Sequence, residues 1–104
     1  MVPLTRSDLF IDVFARWRSP LVLCARTALG TINHTLLSLE ALQRRSIPIA
    51  GVAFVGDENP DTERTIADMA GVRALGRLPM LQQLSAETLA HAFERHFRVQ
   101  DFLD

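Results

Sequence analysis

With 104 residues, 48% of them hydrophobic and 22% charged, the chain has the apolar content of one globular domain with a buried core, and neither a disordered nor a collagen-like composition. Its 11 basic and 12 acidic side chains leave a formal net charge of -1, so no long-range field gathers nucleic acid or an anionic membrane, and neither is expected as a partner. All of the basic residues are arginine, which excludes a Schiff-base lysine, a lysine general base and the lysine of a phosphate-binding loop.

In chain order, Met1 to Leu4 is a short apolar segment. Thr5 with Asp8 then forms a capping-box pattern ahead of Leu9, Val13, Phe14 and Trp17 at helical spacing, which predicts a helix from Arg6 to Trp17. Ser19-Pro20 breaks it, and the continuous apolar run Leu21 to Ala25 reads as a strand buried on both faces. After the turn ending at Gly30-Thr31, Ile32, Thr35, Leu36 and Leu39 mark a second helix, with Asn33, Ser38, Arg44 and Arg45 on its polar side. Ile49 to Val55 is a second buried strand leading into the acidic turn Gly56-Asp57-Glu58-Asn59. Asn59 followed by Pro60 predicts the cap and first residue of a third helix that runs to Ala70 and stops at Gly71. Val72 to Leu78 is a shorter strand ending at Pro79. Ser85 caps a last helix with Leu89, Ala92, Phe93 and His96 or Phe97 on one stripe, which the tail to Asp104 would extend.

Strands alternating with helices predict parallel βαβ units, hence an α/β fold whose parallel sheet carries helices on both faces, in one domain over residues 1–104. Four strands are few for such a sheet, and apolar strands at its edge invite pairing with another chain. The domain therefore reads as part of something larger, either a dimer or one half of a longer protein.

Little in the residues points to self-contained catalysis. The five glycines, Gly30, Gly51, Gly56, Gly71 and Gly76, are too scattered to build a phosphate cradle. Cys24, the single cysteine, is expected in the core, and no Cys/His spacing matches a metal site. Asp57, Glu58, Asp61 and Glu63 lack the order of a calcium loop and suit a helix N-terminus. Asp12, His34 and Ser38 are of the types in a hydrolase triad without a nucleophile-elbow sequence. His91 and His96 are spaced five apart, out of phase for shared ligation at i, i+4. No apolar run approaches the ~20 residues of a membrane span, and the first ten residues lack the order of a signal peptide, so a cytoplasmic location is expected.

The run Cys24-Ala25-Arg26-Thr27-Ala28-Leu29-Gly30-Thr31-Ile32-Asn33-His34-Thr35-Leu36-Leu37 closely resembles the C-terminal half of ATP-dependent dethiobiotin synthetase. Val2-Pro3-Leu4, which looks like the end of a strand in that family and so is the fourth expected strand, extends the resemblance with Ile49-Ala50-Gly51-Val52 and Leu75-Gly76-Arg77-Leu78-Pro79 over essentially the whole chain. It implies a partial three-layer fold of the P-loop NTPase type, a homodimer or a chain completed by an N-terminal half, and a place in biotin biosynthesis. The family closes the ureido ring of 7,8-diaminononanoate with carbon dioxide, ATP and Mg2+. Its N-terminal Gly-rich Lys-Thr loop, second lysine and acidic metal ligands have no counterpart here, so the resemblance transfers a half-site and implies inactivity for the chain alone.

Residue by residue, the resemblance assigns Gly30, Thr31, Ile32 and Asn33 to the substrate's carboxylate. That role agrees with the anion affinity of a helix N-terminus, whereas without the resemblance Thr31 is simply a cap and Asn33 a solvent-facing residue. For the nucleotide it points to the strand end at Val55 or Gly56, where the family has an asparagine, and to the turn at Pro79, which alone would read as a strand terminator. Valine offers no side-chain hydrogen bond to a purine. An alternative of a different class is a non-catalytic truncated paralogue that serves as an interaction or dimerisation module for a P-loop synthetase. A fragment of a related amidoligase or partitioning protein is a third, against which the Leu29 to His34 run argues.

Overall fold

The computed structural model describes residues 1–103 and contains a three-stranded parallel sheet in the order β1-β2-β3, built from β1 (Leu21–Arg26), β2 (Ile49–Val55) and β3 (Ala74–Leu78). Five helices accompany it: α1 (Phe10–Trp17), α2 (Thr31–Arg44), α3 (Pro60–Ala70), α4 (Ala86–His96) and α5 (Val99–Leu103). The strand and helix alternation of the sequence is thus the fold, with three strands where four were expected. Val2 to Leu4 is not a strand of the sheet. Pro3 makes an isolated antiparallel bridge to Leu9, and the Phe10 amide donates to the Val2 carbonyl at 2.9 Å, so the N-terminal segment folds back on its own helix.

α1 also starts one turn later than expected. The Thr5 and Asp8 side chains do meet, and Thr5 Oγ1 accepts from the Asp8 amide at 3.0 Å, but this closes a turn. The helix begins after Leu9, whose amide donates to Asp12 Oδ2 at 2.9 Å. The later starts follow the sequence: Asn59 caps α3 with Pro60 as its first residue, and Ser85 Oγ accepts from the Thr88 amide at 3.1 Å to cap α4. The tail does not extend α4, because Phe97 is extended (φ -130, ψ 157) and α5 begins afresh at Val99; Asp104 lies outside the described residues.

Side chains alternate across a strand, so Val52 and Phe54 of β2 share one face with Leu23 and Ala25 of β1. Leu39 of α2 and Ile66 of α3 close over them, and these form the core, with Phe54, Leu39, Ile66 and Val52 wholly removed from solvent. Each such side chain contributes about 1.5–3 kcal/mol of burial free energy. On the opposite face the small residues Gly51 and Ala53 let α5 approach β2, and α4 lies against β3. That cover stops short of β1. Cys24 and Arg26 are exposed, so the expectations of a β1 buried on both faces and of a core Cys24 are both corrected. As an edge strand with helical cover on one side only, β1 needs just Leu23 and Ala25 inside.

Candidate functional site

In parallel α/β sheets the loops leaving the carboxyl ends of the strands form the ligand-binding rim. Here those ends are level. Arg26 pairs with Val55, and Val55 with Leu78, so the last residues of all three strands lie in one row. The ladder runs one step further, since the Thr27 amide donates to the Val55 carbonyl at 3.1 Å and the Gly56 amide to the Leu78 carbonyl at 2.9 Å. Everything the resemblance singles out follows this row: Gly30 to Asn33 after β1, Val55 and Gly56 at the end of β2, Pro79 after β3.

Beyond β1, the chain turns through Gly30, whose φ of 87° lies in the left-handed region, and enters α2. No side chain caps this helix. Thr31 is its first residue, and its hydroxyl meets that of Thr35 at 3.3 Å, one turn along the helix. The amides of Ile32 and Asn33 at the helix start therefore meet no side-chain cap, and they stand at the positive end of the helix dipole. A cavity of about 450 Å³ opens between this helix start and β1, lined among others by Cys24, Arg26, Gly30, Thr31, His34 and Ser38. Of the four residues expected to hold a carboxylate, Gly30 and Thr31 line the cavity. Ile32 and Asn33 are exposed outside its lining.

Sequence reasoning missed Arg26 as a site residue. Arg26 is the last residue of β1, three residues before the Leu29 to His34 run, and lines the cavity with an exposed side chain. His34 and Ser38 share the cavity, one and two turns into α2. Asp12 does not join them, since it accepts from the Leu9 amide and lies 4.0 Å from Arg45, so no triad is assembled. Leu29 is wholly exposed at the tip of the loop.

At the end of β2, Gly56 has φ 132°, and a Cβ there would stand 2.5 Å from Thr27 Oγ1, so only glycine fits. Its carbonyl accepts from Arg77 Nη1 at 2.7 Å, a contact spanning from β3 to the turn after β2. Pro79 borders a separate cavity of about 380 Å³ with Leu81, Glu87, His91 and Arg95. The structure thus places Val55 and Gly56 on the rim and Pro79 beside α4, without joining them to the cavity under α2.

The donor set does not fit a triphosphate: lysine is absent from the sequence, and the described glycines build no cradle of successive amides. Among the described residues no group of three or more His, Cys, Asp or Glu side chains could hold a metal ion. Asp61 and Glu63 lie in the first turn of α3, where carboxylates stabilise the helix dipole. No described helix is long and apolar enough to cross a membrane.

Residues 1–88 match the AAA domain family. The chain is 64% identical over 101 residues to the ATP-dependent dethiobiotin synthetase of Brucella anthropi, covering 97% of this chain and 48% of that protein. It is 61% identical over 104 residues to the enzyme of the same name from Agrobacterium fabrum, covering 100% of this chain and 49% of the relative. A Rhodopseudomonas palustris relative of that name is 60% identical over 103 residues, 99% of this chain and 49% of its own length. The chain therefore spans about half the length of the curated relatives it matches. It belongs to the AAA domain family, and within it is similar from end to end to about half of ATP-dependent dethiobiotin synthetase.

Proposed function

We propose that this chain is the C-terminal domain of an ATP-dependent dethiobiotin synthetase of biotin biosynthesis, contributing the part of the site that holds the carboxylate tail of 7,8-diaminononanoate and the rim that faces the nucleotide base. The observation that carries this is the uncapped start of α2, within the Leu29 to His34 run, opening onto a cavity lined by Arg26. Gly30, Thr31, Ile32 and Asn33 supply amides and the dipole end, Arg26 the compensating charge. Val55, Gly56 and Pro79 border the base.

The Mg2+-bound triphosphate is gripped by groups outside this chain, which is inactive alone. The completed protein is a cytoplasmic homodimer in which the exposed Leu29 loop reaches the partner's site. Titration of the isotope-labelled chain with 7,8-diaminononanoate followed by amide NMR tests the reading. Shifts concentrated at Gly30 to Asn33 and Arg26, absent with a diamine of equal length lacking the carboxylate, are the expected result. An unmoved α2 start contradicts it.

The unpaired outer edge of β1 favours the second reading, an interaction module for a P-loop synthetase. Mixing with a full-length synthetase and measuring mass in solution separates the two. A mixed species supports the module, and an unchanged full-length oligomer counts against it.

A further inference from the structure

We infer that the chain by itself pairs with a second copy along the outer edge of β1, antiparallel, about a twofold axis centred on Cys24, independently of what the cavity under α2 holds. The Leu21 amide donates to the Pro48 carbonyl at 2.9 Å and the Thr27 amide to the Val55 carbonyl at 3.1 Å, so the odd-numbered residues of β1 turn their backbone groups toward β2. Val22, Cys24 and Arg26 turn theirs to the free edge, and the register from Val22 to Arg26 is unbroken. Little blunts this edge. The stretch contains no lysine and no proline, its one charge stands at the end, at Arg26, and the shift of register lies before Val22. A net charge of -1 gives two copies no field to hold them apart.

A second copy fits because the edge is self-complementary. Centred on Cys24, an antiparallel pair sets Cys24 against Cys24 of the other copy and Val22 against Arg26, each pair exchanging two N–H···O bonds, so every outward group of Val22, Cys24 and Arg26 is used. The same register sets Leu23 beside Ala25 on the core face, a large side chain against a small one. It also brings the apolar groove of about 800 Å³ formed by Phe14, Leu21, Leu23, Leu37 and Leu42 up to its counterpart. Centring the axis on Leu23 instead would set Arg26 against Pro20, which has no N–H to give.

Sedimentation over a concentration series is expected to show the mass rising toward twice that of one chain, a weak reversible dimer in keeping with one short edge. Cys24→Lys sets like charges opposite each other at an exposed position and should weaken association about tenfold or more with an unchanged far-UV spectrum, whereas Cys24→Ser should leave it as it is. Register is read with diamide, an azo oxidant that takes one hydrogen from each of two thiols and leaves a disulfide. Opposed residues that exchange both bonds have Cα atoms about 5.5 Å apart, within the span a disulfide bridges, so Cys24 should link the two copies. A chain carrying Cys24→Ser with Val22→Cys should not link, because its two thiols then stand two residues to either side of the axis. A chain that stays monomeric throughout overturns the proposal and leaves the β1 edge to a longer partner. A dimer that ignores Cys24→Lys, or that links equally through position 22, overturns it by placing the interface elsewhere.

Discussion

Gly30 and Gly56 both sit where a strand hands over to a helix, yet they resist substitution for different reasons. At Gly30 the backbone is left-handed with open space where a Cβ would go, so Gly30→Ala is expected to cost only about 1 kcal/mol of conformational strain. At Gly56 an added Cβ also drives into the Thr27 hydroxyl, and Gly56→Ala should cost about 2–4 kcal/mol, enough to separate the two by urea denaturation. Cys24 makes the opposite point. It lies in an apolar run and so resembles a core residue, but its side chain projects from the uncovered face of β1. A thiol reagent should modify it in native buffer without prior unfolding, and Cys24→Ser should shift stability by less than about 0.5 kcal/mol. Slow modification that tracks global unfolding would show the face to be covered. The apolarity of a single strand could not reveal this, because which strand is at the edge depends on the pairing of all three.

Helix beginnings differ in how directly the sequence declares them. Ser85 and Thr88 exchange bonds across the first turn of α4, the Ser85 amide donating to Thr88 Oγ1 at 2.9 Å while Ser85 Oγ receives the Thr88 amide. Ser85→Ala should therefore cost about 1 kcal/mol, read as a lowered denaturation midpoint with unchanged slope. Asn59-Pro60 and the stop at Gly71 were equally legible, because each acts within its own turn, Asn59 Oδ1 accepting from the Thr62 amide and Gly71 taking a left-handed φ of 66°. Thr5 and Asp8 carry the same kind of signature and form their contact, yet α1 starts only at Phe10, since the residues between are held by the fold-back of Val2 and Pro3 onto Leu9 and Phe10. A cap motif is a local statement, and a tertiary contact at the chain's start outweighed it. The segment Val2 to Leu4 was misjudged for the same reason: its apolarity serves a bridge to Leu9, where a sheet strand was expected.

For the molecule as a whole, the α/β layering was legible because buried parallel strands and amphipathic helices have different periods, and the core follows from it. Ile66→Ala removes a fully buried side chain between α3 and the sheet and should lower stability by about 2–5 kcal/mol, a loss that denaturant titration reads directly. The lining of the cavity under α2 was half legible. Gly30 and Thr31, named through their motif, line the cavity, and Arg26, His34 and Ser38 join that lining because α2 packs beside the end of β1. On the proposed reading the chain holds an anionic tail and a base edge, but no triphosphate. Isothermal titration of the purified chain with ATP and Mg2+ tests it most directly. The account predicts no saturable magnesium-dependent heat, and tight magnesium-dependent binding by the chain alone would contradict it.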